Sequence, residues 1–123
     1  MDRYERLIDK IYSHMSENKT VECCGIITTD FDYIPCKNIS SKPKNSFVLD
    51  PYALVKYEDR CWGIFHSHTE HHDELPSEED KKSASILEYK FIVGNLNKAF
   101  YLYWVDELNY LRFKPFTERD LIC

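Results

Sequence analysis

The sequence predicts an α/β (α+β) fold, a mixed β-sheet flanked by helices. Three observations carry this: an unbroken helical stripe opens the chain, short apolar runs rich in β-branched and aromatic residues follow, and two further helix starts are interleaved with those runs. Hydrophobic residues make up 43% of the 123, enough for one packed core, so residues 1–123 are expected to form a single domain.

Tyr4, Leu7, Ile8, Ile11, Tyr12 and Met15 recur at helical spacing, which predicts an amphipathic helix from about residue 3 to 17 that covers the sheet. Val21 to Thr28 is apolar and β-branched apart from Glu22, and is expected to be a buried strand. Asp30-Phe31-Asp32 makes a turn, Tyr33 to Cys36 returns as its hairpin partner, and Pro35 puts that strand near an edge. Asn38 to Asn45 reads as a polar loop and Phe47-Val48-Leu49 as a brief strand. Asp50-Pro51 is a cap followed by proline, starting a short helix to about Asp59 with Leu54 and Val55 inward. Cys61 to His68 is a central strand with a polar C-terminal end, and Thr69 to Glu74 a loop. Ser77 to about Leu87 is a third helix, followed by strands at Tyr89–Val93, Ala99–Val105 and Tyr110–Phe113, the last two as a hairpin.

Net charge and cysteine usage narrow the function. A formal charge of -5 leaves no basic footprint for nucleic acid. Five cysteines, an odd number with no Cys-x-x-Cys pair, point to a reducing compartment, and they are read as small core residues. The charged N-terminus is no signal peptide, and no apolar run reaches the roughly 20 residues of a membrane span, so a soluble intracellular protein is expected.

The chemistry gathers on a few residues. Residues two apart on a strand project to one face, so His66 and His68 present two imidazoles together with Ser67 turned away. Two imidazoles and a carboxylate, for which Asp80 is the candidate, make a zinc site with a position open for water. Such a site needs a base, and Glu22 beside a buried strand suits it; the alternative for Glu22 is an exposed acid at a strand edge. Ser77 reads either as the N-cap of its helix or as a hydroxyl donor to an oxyanion, and the two roles can coexist. His14 is expected at the solvated surface, His71 and His72 in a solvated loop, and Phe100, Tyr101, Tyr103 and Trp104 in core and sheet packing.

In order along the chain, Glu22-Cys23-Cys24-Gly25, Gly63-x-x-His66-Ser67-His68 and Pro76-Ser77-x-x-Asp80 resemble the JAMM (JAB/MPN) metalloprotease signature, and Phe47-x-Leu49-Asp50-Pro51 extends the likeness. The resemblance implies a JAB fold, a curved mixed sheet between helices. It implies His66, His68 and Asp80 as zinc (Zn2+) ligands, Glu22 as general base and Ser77 as oxyanion support. The implied activity is hydrolysis of a peptide or isopeptide bond through a metal-activated water. Compact JAB domains of this size resemble those of phage tail-assembly proteins and stand-alone bacterial JAB proteins. This implies a peptide or protein substrate, such as a murein peptide in cell-wall cleavage, with phage tail or assembly partners. The expected location is the cytoplasm, or the virion if a phage encodes the chain. Processing of a ubiquitin-like protein and a non-catalytic scaffold role are the alternatives; retention of all five residues favours catalysis.

Thr69 to Pro76 makes the spacer one residue longer than is usual in that family, and Thr69 stands where proline is common. Glu70, Asp73, Glu74, Glu78, Glu79 and Asp80 precede any basic residue before Lys81, an acidic rim that favours basic or amine-bearing substrates.

Overall fold

A computed structural model describes residues 2–69, 75–97 and 99–121. Six strands form one mixed sheet flanked by three helices, the predicted class. The helices are α1 (Arg3–Glu17), α2 (Pro51–Tyr57) and α3 (Glu78–Ile86). The strands are β1 (Cys24–Thr28), β2 (Tyr33–Cys36), β3 (Cys61–Ser67), β4 (Lys90–Gly94), β5 (Phe100–Val105) and β6 (Leu111–Pro115). Their order in the sheet is β2-β1-β3-β4-β5-β6. Among the described residues only β3 and β4 run parallel, and α3 lies in the crossover between them. A parallel pair needs such a crossover, and this one sets the α3 N-terminus just past the C-terminal end of β3.

The strand alternation splits the core between two faces. Phe65 of β3 and Ile92 of β4 pack with Leu7, Ile11 and Met15 of α1. Ile64, Phe91, Val93 and Tyr103 pack on the other face with Leu54 of α2 and with Ala84 and Leu87 beside α3. His66 follows Ile64 by two and therefore lies on the α2–α3 face. Asp2 caps α1 by accepting from the Glu5 amide at 2.8 Å.

Gly25 is required by a close approach. A Cβ there would lie 2.4 Å from the buried Tyr33 ring, whose hydroxyl meets His14 Nδ1 at 2.6 Å. His14 is thus half-buried and hydrogen-bonded, not solvated, because the Tyr33 hydroxyl inside the fold needs a partner.

Several expected elements differ. Phe47–Leu49 forms no strand; a single bridge joins Asn38 to Leu49, because Asn38 takes the hydrogen bond that a ladder would supply at Val48. Val55 is 66% exposed: successive helix positions lie about 100° apart, so the face that packs Leu54 on the sheet leaves Val55 outside. Trp104 is 42% exposed, since Leu102 and Trp104 share a strand face that the core covers only at Leu102. Cys23 and Cys24 are buried as expected, whereas Cys36 and Cys61 are half-buried. No helix among the described residues is long and apolar enough to cross a membrane.

Candidate metal centre

The strand end carrying His66 and His68 is placed by pairing on both sides. Cys24 pairs with His66 across β1 and β3, and the His68 amide donates to Gly94 O at 2.9 Å, past the end of β3. Ser67, between the histidines, faces the other way. Its amide donates to Cys23 O and its Oγ accepts from the Cys23 amide, both at 2.8 Å. This two-bond clamp locks the residue after Glu22 to the residue between the histidines.

Helix α3 delivers the carboxylate. Ser77 is its N-cap, and Oγ accepts from the Asp80 amide at 3.2 Å while Asp80 Oδ2 accepts from the Ser77 amide at 2.8 Å. Asp80 stands where a capping box usually places Glu or Gln. The same carboxylate meets both imidazoles: Oδ1 is 2.9 Å from His66 Nε2, and Oδ2 is 3.1 Å from His68 Nε2. Ligand atoms of His66, His68 and Asp80 all lie within 4.8 Å of one another, and all three residues are buried.

Electrostatics prepare this set for a cation. Burial by itself would raise the Asp80 pKa, but His66, the contact with His68 and the Ser77 amide outweigh it and hold the carboxyl well below its ordinary value. Burial lowers the His66 pKa and favours the neutral imidazole, the form that binds metals. One atom tests the fit directly. His66 Nε2 is fully buried and makes no hydrogen bond of regular geometry, although Asp80 Oδ1 is 2.9 Å away. Buried ring nitrogens are rarely left this way, and a cation between nitrogen and carboxylate satisfies both. Two imidazoles and one carboxylate suit zinc.

Glu22 joins the group from two residues ahead of β1. It is 3% exposed, so the strand-edge alternative gives way to burial. Its amide donates to Pro43 O and its carbonyl accepts from Asn38 Nδ2, both at 2.7 Å. Burial raises its pKa to about 7, with His68 opposing the rise and Asp80 adding to it. Glu22 and Asp80 line one cavity of about 40 Å³ with Asn45, Ser46, Phe47, Glu79 and Ser83. That space holds little more than a water or two.

The family described as prokaryotic homologs of the JAB domain matches residues 4–106. This chain belongs to that family. The JAB match takes in every strand of the site and α3. Over 84 residues the chain is also 36% identical to the tail tip assembly protein K of Escherichia phage N15, across 63% of this chain and 33% of that protein. It therefore spans about a third of the length of the curated relative it matches.

Within this JAB domain the structure brings His66, His68, Asp80 and Glu22 to one place, with Ser77 bonded to Asp80 as the α3 cap. An oxygen that accepts from the Asp80 amide still has its own proton to donate, so capping leaves the second reading of Ser77 open. His71, His72 and the acidic positions 70, 73 and 74 lie outside the described residues.

Sequence reasoning passed over three residues that shape the site. Asn38, expected in a plain loop, makes four hydrogen bonds through one amide: Nδ2 donates to Glu22 O and Ser46 O, and Oδ1 accepts from the Ser40 and Val48 amides. Phe47 stacks on His66 with ring centroids 4.3 Å apart and planes at 14°. Tyr103 approaches the same imidazole edge-on. Only Phe47 had a sequence signal, its place in the Phe-x-Leu-Asp-Pro segment.

Proposed function

We propose that residues 1–123 are one JAB-type zinc metallopeptidase domain that hydrolyses a peptide or isopeptide bond. The observation that carries this is a buried acid with an elevated pKa, Glu22, sharing a cavity with Asp80, whose carboxylate meets both histidines. A structural zinc site would call for four protein ligands and no base.

In this reading His66, His68 and Asp80 hold the ion. Held by these three residues, zinc would supply Lewis acidity to a carbonyl and would make a water acidic enough to lose its proton near neutral pH. Glu22 takes that proton as the water oxygen bonds to the scissile carbonyl carbon. Ser77 donates to the carbonyl oxygen as it gains negative charge. When the C–N bond breaks, Glu22 passes the proton to the leaving amine, so the base ends as it began. Its pKa of about 7 suits both directions of transfer.

The test is metal analysis together with hydrolysis of peptide and isopeptide substrates by wild type and Glu22→Gln. One zinc per chain is expected in both proteins, with activity only in wild type. Metal-free wild type from a chelator-free preparation overturns the reading.

The name of the phage relative supports a second reading, an assembly role in a phage tail with the domain carried into the virion. A zinc-loaded wild type without hydrolysis of any substrate, still incorporated into tails, would favour that role alone.

A further inference from the structure

A histidine that binds a metal through Nε2 carries its proton on Nδ1, and in a buried site that proton needs an acceptor. His66 Nδ1 lies 3.4 Å from the Tyr103 hydroxyl, and the two residues are 0% and 1% exposed. Tyr103 belongs to β5, two strands from β3, and reaches across the intervening β4 on the same sheet face. Its ring stands edge-on to the imidazole at 6.0 Å and 88°. Phe47 covers a face of the same imidazole in a parallel stack.

We propose that Tyr103 is a positioning residue that holds His66 in the tautomer with Nε2 directed at the metal, while Phe47 fixes the plane of the ring. This rests on the metal-centre reading above and adds the partner that the ligand set leaves unnamed. A hydroxyl deep in an apolar core is costly unless it is paired, and Phe91 packs beside Tyr103 as plain hydrocarbon. Phenylalanine would therefore serve packing alone. The hydroxyl also has a property that a carbonyl or carboxylate lacks. It accepts from Nδ1–H when Nε2 binds a cation, and it donates to Nδ1 when Nε2 keeps the proton. One group thus pairs with His66 in both states and adds no further negative charge beside Glu22 and Asp80.

Tyr103→Phe removes the oxygen and keeps the ring, and Phe47→Leu removes the stack and keeps an apolar wall. The measurements are the zinc dissociation constant by competition with a chromophoric chelator, the visible absorption bands after Co2+ substitution, and thermal unfolding of the metal-stripped proteins. Tyr103→Phe is expected to bind zinc about 10- to 100-fold more weakly with altered Co2+ bands, whereas a purely structural role would move only the unfolding temperature. Phe47→Leu is expected to alter the Co2+ bands as well. Zinc-loaded wild type supplies a measurement free of any folding defect: a long-range 1H–15N spectrum should show His66 protonated at Nδ1 with slow proton exchange. Zinc affinity within twofold of wild type and unchanged Co2+ bands in Tyr103→Phe overturn the proposal, as does rapid exchange at Nδ1 in wild type. Wild type that binds no zinc overturns the metal centre itself, a distinct result.

Discussion

Glu22→Gln removes a carboxyl whose ionisation the fold resists, so it should stabilise the metal-free protein while abolishing hydrolysis. Glu22 is buried, and its pKa rises from 4.5 to about 7 on folding. The sign follows from which state ionises first. Below pH 4.5 the carboxyl is protonated in both states, and folding is indifferent to it. As pH climbs from 4.5 to about 7 the unfolded chain loses the proton before the folded one, and wild type loses stability. Above that range the loss is complete. Two and a half pH units at about 1.4 kcal/mol each set it at about 3 kcal/mol. Glutamine imitates the neutral acid and escapes the loss. Urea unfolding of the metal-stripped proteins at pH 4, 6 and 8 reads this directly. The expected stability gap between variant and wild type is near zero at pH 4, opens by pH 6 and reaches about 3 kcal/mol at pH 8. A gap independent of pH, or a variant less stable than wild type at pH 8, would refute the reasoning.

Ser77→Ala removes both a cap and the proposed oxyanion donor, so stability should fall by about 1 kcal/mol and kcat by about 100-fold with little change in KM; unchanged kcat in folded protein would leave Ser77 a cap only. Asn38→Ala cuts four hydrogen bonds that join Glu22 to the segment carrying Phe47. It should lower the unfolding free energy by about 2 kcal/mol and slow turnover, checked by urea denaturation and initial rates. Gly25→Ala drives a methyl into the Tyr33 ring and should cost about 1–3 kcal/mol in urea unfolding. Hydrolysis of basic peptides should slow as salt rises, because Glu79 lines the cleft; a rate indifferent to salt would remove the acidic rim from the account.

The fold class, most of the helices and strands, and the grouping of His66, His68 and Asp80 were legible along the chain, whereas the expected strand at Phe47–Leu49 was not formed. The legible parts rest on local rules. Helical spacing places Leu7, Ile11 and Met15 on one face, strand alternation places His66 and His68 together, and Ser77-x-x-Asp80 is a cap written in four residues. Each can be read within a few positions of chain. The tertiary structure decided what no local rule can express. Glu22 is buried where the segment around Asn38 and Pro43 closes over it, and that segment carries no periodicity. Asp80 meets His66 only because the crossover docks α3 at the end of β3. Tyr103 comes from β5, 37 positions beyond His66, and looked like ordinary core aromatic until the sheet order set it against Nδ1. Spacing picks out the two histidines and the aspartate, but the groups set against them come from strands paired across the sheet, and only the folded chain shows which pairs form.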